Sequence, residues 1–210
     1  MRSMKDMIRV LIVDDHPIVR MGISGIVNSQ SDMFVAGQAA NGQETIRLFE
    51  QLRPDVTLLD LRLPDIGGVQ VIRKIRLYYP GAKFLVLTTY DGDEDIFQAL
   101  QAGAVGYLVK GMSHEVLLNG LRQVYEGGQY VPSEITQRLN QRNPQSELSG
   151  REHQVLALMA QGSSNKAIAH ALGIKEATVK QHVGVILARL NVEDRTQAVL
   201  MALRRGLVHL

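Results

Sequence analysis

Ile8-Arg9-Val10-Leu11-Ile12-Val13-Asp14-Asp15 decides the fold: six residues, mostly β-branched or aliphatic, that end abruptly on two carboxylates. The same punctuation recurs three times. Asp60 follows Asp55–Leu59, Thr88 closes Phe84–Leu87, and Lys110 follows Val105–Val109. A continuous apolar run suits a strand buried on both faces, as in a parallel sheet covered by helices. Met33–Ala39 adds a fifth strand. Segments with helical character fill the gaps, at Pro17–Asn28, Gly42–Leu52, Gly68–Tyr78, Glu94–Ala102 and His114–Glu126. The front of the chain therefore reads as a (βα)5 doubly wound α/β domain. Ligands of such sheets sit beyond the carboxyl ends of the strands. Three carboxylates, a hydroxyl and an ammonium are expected at that edge, a combination suited to a metal ion and a phosphate.

After Pro132 the strand signals stop. Ser133–Gln141 has the makings of a short helix, and Asn140 to Glu147 reads as a polar linker broken by Pro144. Beyond it come four helical segments. Ser149-x-x-Glu152 is a capping box ahead of Val155, Leu156, Leu158 and Met159. Gly162 ends that helix, and Ser164 caps the next. Gly173-Ile174 makes the turn into a helix over Glu176–Leu190, and Asp194 caps a last one that stops at Gly206. Two helices joined by a short glycine turn are the mark of a helix-turn-helix. The organisation expected is a front domain over 1–128, a linker over 129–146 and a small all-α domain over 147–210.

Composition narrows the function. Lys plus Arg against Asp plus Glu is 13 against 15 for residues 1–128 and 10 against 6 for residues 129–210, so −2 and +4 make up the net +2. A basic tail behind an acidic front is consistent with nucleic-acid contact. The chain has no cysteine, which excludes disulfides, thiolate zinc sites and cysteine nucleophiles. No apolar run approaches the roughly 20 residues of a membrane helix, and Met1–Met7 has no signal-peptide pattern, so a cytoplasmic protein is expected.

The motifs Val13-Asp14-Asp15-His16-Pro17, Leu58-Leu59-Asp60-Leu61-Arg62-Leu63-Pro64, Val86-Leu87-Thr88-Thr89 and Gly106-Tyr107-Leu108-Val109-Lys110 resemble a two-component receiver domain of flavodoxin-like fold. The tail, with Leu148-Ser149-Gly150-Arg151-Glu152, Gly162 to Ala169, Thr178-Val179-Lys180-Gln181-His182-Val183 and Asp194-Arg195-Thr196-Gln197-Ala198, resembles a LuxR-type helix-turn-helix. Together they resemble response regulators of the NarL/FixJ family over nearly the whole chain. The resemblance implies Asp60 as phosphoacceptor. It implies Mg2+ held by Asp15, Asp60 and the Arg62 carbonyl, with Asp14 acting through water. Thr88 and Lys110 would meet the phosphoryl group, and Thr88 and Tyr107 would report it. The implied partners are a sensor histidine kinase and DNA bound as a homodimer, with RNA polymerase as a further candidate and no membrane. The chain would be no enzyme in the ordinary sense, but a domain that catalyses its own phosphorylation and dephosphorylation.

Two positions depart from the family pattern. Gly111 stands where proline often follows the lysine, which would relax that loop, and Gly67 leaves the following helix without a side-chain cap.

On a 3.6-residue wheel, Val179, Val183, Ile186 and Leu190 share one side of Glu176–Leu190 and should pack inward. Ala177, Gln181, Gly184, Val185 and Ala188 lie opposite, flanked by Thr178 and Lys180. Short residues around one long amide would let the helix approach base edges, where Gln181 can bond adenine and Lys180 guanine or phosphate. His182 lies nearer the inward flank. Lys175 stands where a capping hydroxyl is usual and, with Lys166, is a candidate for DNA contact, as are Thr178 and Gly184. The competing readings are a quorum-sensing LuxR-type regulator, which would need an apolar, aromatic-lined front domain, and an aspartyl-phosphate phosphatase, which would need a cap domain. A nucleotide-binding fold fails because no glycine-rich loop follows the first strand.

Overall fold

The computed structural model describes residues 7–89, 92–140 and 148–208, which gather into two compact units. The first holds five parallel strands, β1 (Ile8–Val13), β2 (Met33–Ala39), β3 (Val56–Leu59), β4 (Phe84–Thr88) and β5 (Gly106–Val109), in the order β2-β1-β3-β4-β5. The helices alternating with them are α1 (Pro17–Asn28), α2 (Gly42–Leu52), α3 (Gly68–Tyr78), α4 (Asp93–Ala102) and α5 (His114–Tyr125). This is the doubly wound flavodoxin-like order, whose switch point falls between β1 and β3.

Both faces of the sheet are covered, as the apolar strand runs require. Val10 and Ile12 of β1, Val56 and Leu58 of β3, Leu85 of β4 and Leu108 of β5 pack with Ile23 and Val27 of α1 and with Leu117, Leu118, Leu121 and Val124 of α5. Alternation along the strands sends Leu11, Thr57, Phe84 and Tyr107 to the other face. There Phe49 of α2 stacks on Phe84 with ring centroids 6.1 Å apart. The strand ends are also tied to one another. Asp60 N donates to Val13 O at 2.9 Å, and Lys110 N donates to Thr88 O at 2.7 Å.

Element boundaries depart from the sequence reading by single residues. β3 begins at Val56 rather than Asp55, because the Asp55 side chain accepts from Arg9 N at 2.8 Å and so acts as a turn residue before the ladder. β5 begins at Gly106, α4 one residue early at Asp93, and α5 ends at Tyr125 with Glu126 as its C-cap. A short helix, α6 (Ser133–Asn140), occupies part of the expected linker, whose residues 141–147 lie outside the described residues.

Gly68 has a steric reason to be glycine. A Cβ there would lie 2.6 Å from the Asp60 carbonyl oxygen and 2.8 Å from Leu61 Cα, so a side chain would push α3 off the end of β3. Gly111 adopts φ +102°, outside the range a proline ring allows. The loop after Lys110 thus takes a path that glycine permits and proline forbids, rather than merely a looser one.

The second unit is helical: α7 (Gly150–Ala160), α8 (Asn165–Leu172), α9 (Glu176–Leu190) and α10 (Arg195–Arg205). The caps are those read from the sequence. Ser149 and Glu152 form a reciprocal capping box, and the Ser164 and Asp194 side chains accept from Ala167 N and Gln197 N. Gly173 and Gly206 close α8 and α10 in the left-handed region. Val155, Leu156, Ile168, Val179, Ile186, Ala198 and Ala202 form the core of this unit. Glu152 does two jobs there. Its Oε2 accepts from Ser149 N at 2.7 Å and from the Arg189 guanidinium at 2.8 Å, tying the start of α7 to the far end of α9.

One contact in the first unit was not legible from the chain. The carboxylate of Asp65, after β3, accepts from Gly42 N at 2.7 Å and Gln43 N at 2.8 Å, so it caps α2 from a distant loop beside the local cap Asn41. Slight desolvation opposes ionisation of Asp65, but the backbone donors Gly42, Gln43 and Ile66 outweigh it and hold the carboxyl below its ordinary value. A group depressed in the folded state contributes stability above its unfolded pKa and loses it as pH falls through the folded value. Asp65→Asn should therefore be slightly less stable than the wild type near neutral pH, by roughly a few tenths of a kcal/mol once solvent screening of this exposed carboxylate is counted, and equal to it at the acid end. Urea unfolding at several pH values checks this; a deficit constant down to pH 2 would contradict it.

Candidate phosphoacceptor and nucleic-acid sites

The acidic edge is built where the sheet order reverses. Asp14 and Asp15 leave β1, Asp60 leaves β3 beside it, Thr88 ends β4, and Lys110 follows β5. Asp14 and Asp60 are almost closed to solvent, at 2% and 3% exposure. Lys110 Nζ lies between them, 2.6 Å from Asp14 Oδ2 and 2.5 Å from Asp60 Oδ2. Burial works against the lysine's charge, yet hydrogen bonds and Coulomb attraction from Asp14 and Asp60 prevail and raise its pKa above the ordinary value. The other Asp60 oxygen, Oδ1, accepts from Arg62 N at 3.2 Å, which orients the carboxylate.

The remaining predicted residues fall around this centre. Asp15 is exposed at the rim. The Thr88 side chain is fully buried at the end of β4, and its carbonyl accepts the Lys110 backbone donor. Tyr107 is fully buried in β5, so its ring belongs to the core in this conformation. The sequence reading overlooked His16. It is the N-cap residue of α1, and its Nδ1 lies 2.7 Å from Asp15 Oδ1 and 3.3 Å from Asp14 Oδ1. One donor atom from each of Asp14, Asp15, His16 and Asp60 lies within 4.8 Å of the others. Two buried carboxylates and a third at the rim, facing a single ammonium, form an oxygen-rich donor set with excess negative charge, compatible with a divalent cation.

In the helical unit, α9 separates its faces as the wheel requires. Val179, Ile186 and Leu190 are buried and Val183 is half-buried, while Ala177, Lys180, Gln181, Gly184, Val185 and Ala188 are exposed. Thr178 and His182 are half-buried on the flanks. Lys175 is an exposed N-cap that supplies no side-chain cap, and Lys166 is exposed on α8. Lys180 is not a free cation, since its Nζ lies 3.3 Å from Glu176 Oε1 one turn back. The face offered to solvent is rich in small residues, with Gln181 as its long amide.

Comparison with known proteins finds a family match for each unit. Residues 10–122 match the response regulator receiver domain, and residues 146–202 match the bacterial regulatory proteins of the luxR family. The chain is 42% identical over 209 residues to the uncharacterized transcriptional regulatory protein YhcZ of Bacillus subtilis strain 168, covering 95% of this chain and 97% of that one. It is 38% identical over 206 residues to the response regulator protein VraR of Staphylococcus aureus strain Mu3, covering 96% and 99%. The crystal structure of ChrA, the response regulator of a heme-sensing two-component system, aligns with a TM-score of 0.58 at 36% identity over 96% of this chain and 99% of that one. The chain belongs to the two-component response regulators that carry a LuxR-type DNA-binding domain.

Lys110 and a divalent cation would draw on the same two carboxylates, so they compete. Two unit charges about 4 Å apart interact by ~4 kcal/mol at an effective dielectric near 20, part of which relaxation and solvent recover. Lys110→Met should therefore raise Mg2+ affinity roughly tenfold rather than leave it unchanged, as calorimetric titration of the full chain would read. Equal affinities in the two proteins would show that the lysine swings aside without cost.

Proposed function

We propose that the protein is a phosphorylation-controlled transcription factor of the cytoplasm, in which Asp60 accepts a phosphoryl group from a sensor histidine kinase. The observation that carries the reading is the placement of Asp60 beside Asp14 and Lys110 at the switch point of the sheet, in a chain that also exposes a small-residued helix in a LuxR-type unit. The domain division proposed is a receiver over 1–128, a linker over 129–146 and a DNA-binding domain over 147–210.

The chemistry follows from the charges. A carboxylate oxygen of Asp60 attacks phosphorus, the P–N bond of the donor phosphohistidine breaks, and the freed imidazole takes a proton. Both nucleophile and phosphoryl group are negative, so the step requires cations on the phosphoryl oxygens. Mg2+ would be held by Asp15, Asp60 and the Arg62 carbonyl, with Asp14 bonded through water, and supplies that charge compensation when bound. Lys110 is the protein's own contribution. It already lies against Asp60, and once that oxygen carries the phosphoryl group its ammonium transfers to the new phosphoryl oxygens. Thr88 donates its hydroxyl to one of them. The domain thereby promotes both gain and hydrolysis of its own acyl phosphate, without acting on a separate substrate.

Signal output needs two conformations that the phosphate tells apart. Thr88 moves toward the phosphoryl group, and the buried Tyr107 ring repacks with it, reshaping the surface around β4 and β5. Dimerisation then pairs two DNA-binding domains on a two-fold operator. On DNA, Gln181 reads a base edge, Lys180 meets guanine or phosphate, and Lys166, Lys175, Thr178 and Gly184 lie along the contact, with RNA polymerase a further partner. The carboxylate set argues against a quorum-sensing reading, since an acyl pocket would call for an apolar, aromatic-lined front domain in place of a charged strand-end site.

Asp60→Ala should abolish covalent phosphorylation by a small-molecule phosphodonor in Mg2+, and with it the donor-dependent gain in DNA affinity. Stoichiometric phosphate on the Ala variant, read by intact-mass spectrometry, would overturn the assignment. On DNA, Gln181→Ala should cost about 1–3 kcal/mol at the preferred site and relax discrimination at one base pair per half-site. A binding series over single-base operator variants at fixed salt tests this. Weakening of every variant by one common factor would show that Gln181 does not read bases.

A further inference from the structure

We propose that His16 is a nitrogen ligand of the cation at the acidic edge, and that the site therefore takes a late first-row dication such as Co2+, Ni2+ or Zn2+ more tightly than Mg2+. The inference rests on the metal reading given under Proposed function and decides which cation that site prefers.

The imidazole serves neither the helix cap nor the core; its contacts are with Asp14 and Asp15. His16 is the N-cap residue of α1, yet its side chain makes no capping hydrogen bond to the helix. Nor is it packed, for the side chain is 66% exposed. Its backbone N–H donates to Asp14 Oδ1 at 2.8 Å, which fixes the main chain so that the ring turns toward Asp15. Nδ1 then stands 2.7 Å from Asp15 Oδ1, within the cluster whose four donor atoms span no more than 4.8 Å. Nitrogen and oxygen ligands of a transition dication each lie about 2.0–2.2 Å from the ion. An ion placed between Nδ1 and Asp15 Oδ1 would hold them roughly 3 Å apart, a few tenths of an ångström beyond their present separation.

The ligand type then sets the preference. Mg2+ favours oxygen donors and dehydrates reluctantly, so an imidazole at the rim adds little to its binding. Imidazole suits the later first-row ions, whose affinities for a mixed nitrogen and oxygen set climb toward the end of the series. Three carboxylates with one imidazole make such a set. Without His16 the cluster is a pure oxygen site.

The competing role is positional: Nδ1–H donates to Asp15 and aims its carboxylate without touching the ion. The two roles part on selectivity. Calorimetric titration of the 210-residue chain with Mg2+ and, separately, Co2+ is compared for the wild type, His16→Ala and His16→Asn, together with the visible absorption of bound Co2+. Ligation predicts that His16→Ala weakens Co2+ at least tenfold and shifts its absorption bands, while Mg2+ affinity stays within twofold. His16→Asn keeps a donor for Asp15 but lacks the imidazole, so it should behave like the Ala variant toward Co2+. Equal loss of both ions, full recovery by Asn, or unchanged Co2+ affinity would overturn the proposal while leaving the Mg2+ reading intact. A wild-type protein that binds neither ion would instead remove the metal reading itself.

Discussion

Two carboxylates nearly sealed from water need a positive charge beside them, and the receiver unit is organised around supplying one. Asp14 and Asp60 come from neighbouring strands and converge where each loses most of its hydration. Leaving one such charge unpaired would cost several kcal/mol, comparable to a domain's whole stability. Lys110 answers both at once. The arrangement is stable yet open to exchange, because a divalent cation or a phosphoryl group alters the charge that the lysine is there to balance.

Backbone hydrogen bonds set the strand ends from which this triad leaves. The Asp60 N–H bonded to the Val13 carbonyl fixes the end of β3 against β1, and the Lys110 N–H bonded to the Thr88 carbonyl does the same for β5 against β4. Gly68 then lets α3 start within contact distance of the Asp60 carbonyl. The strand ends are thus held by main-chain hydrogen bonds, while the side chains they carry hold one another through Lys110.

Much of this was legible in the chain, for identifiable reasons. Strands buried on both faces leave long apolar runs, so β1 and β4 are legible to their end residues, and the polar residues closing the runs of β1, β3, β4 and β5 name the site. Caps are local signals, which is why Ser149 with Glu152, Ser164 and Asp194 were found. Contacts between residues far apart in sequence leave no such trace. Asp65 on α2, Arg189 on Glu152, and Lys110 shared between two aspartates all depend on how loops return, which no periodicity records. His16 was different. It stood next to Asp15 in plain view, but a residue at a helix start invites a capping explanation, and only the direction of its ring removes that explanation.

The double duty of Glu152 bears on how such a regulator can change its targets. Because one carboxylate closes the capping box of α7 and also grips Arg189, the tilt of α9 is set from its buried side and its far end. The opposite face, from Ala177 through Gln181 and Gly184 to Ala188, takes no part in that support. Substitutions at such exposed positions carry little folding cost, so a duplicated copy of the gene can vary that face freely while the helix itself stays in place. A large repertoire of regulators built on one scaffold is the evolutionary outcome that this division of labour favours.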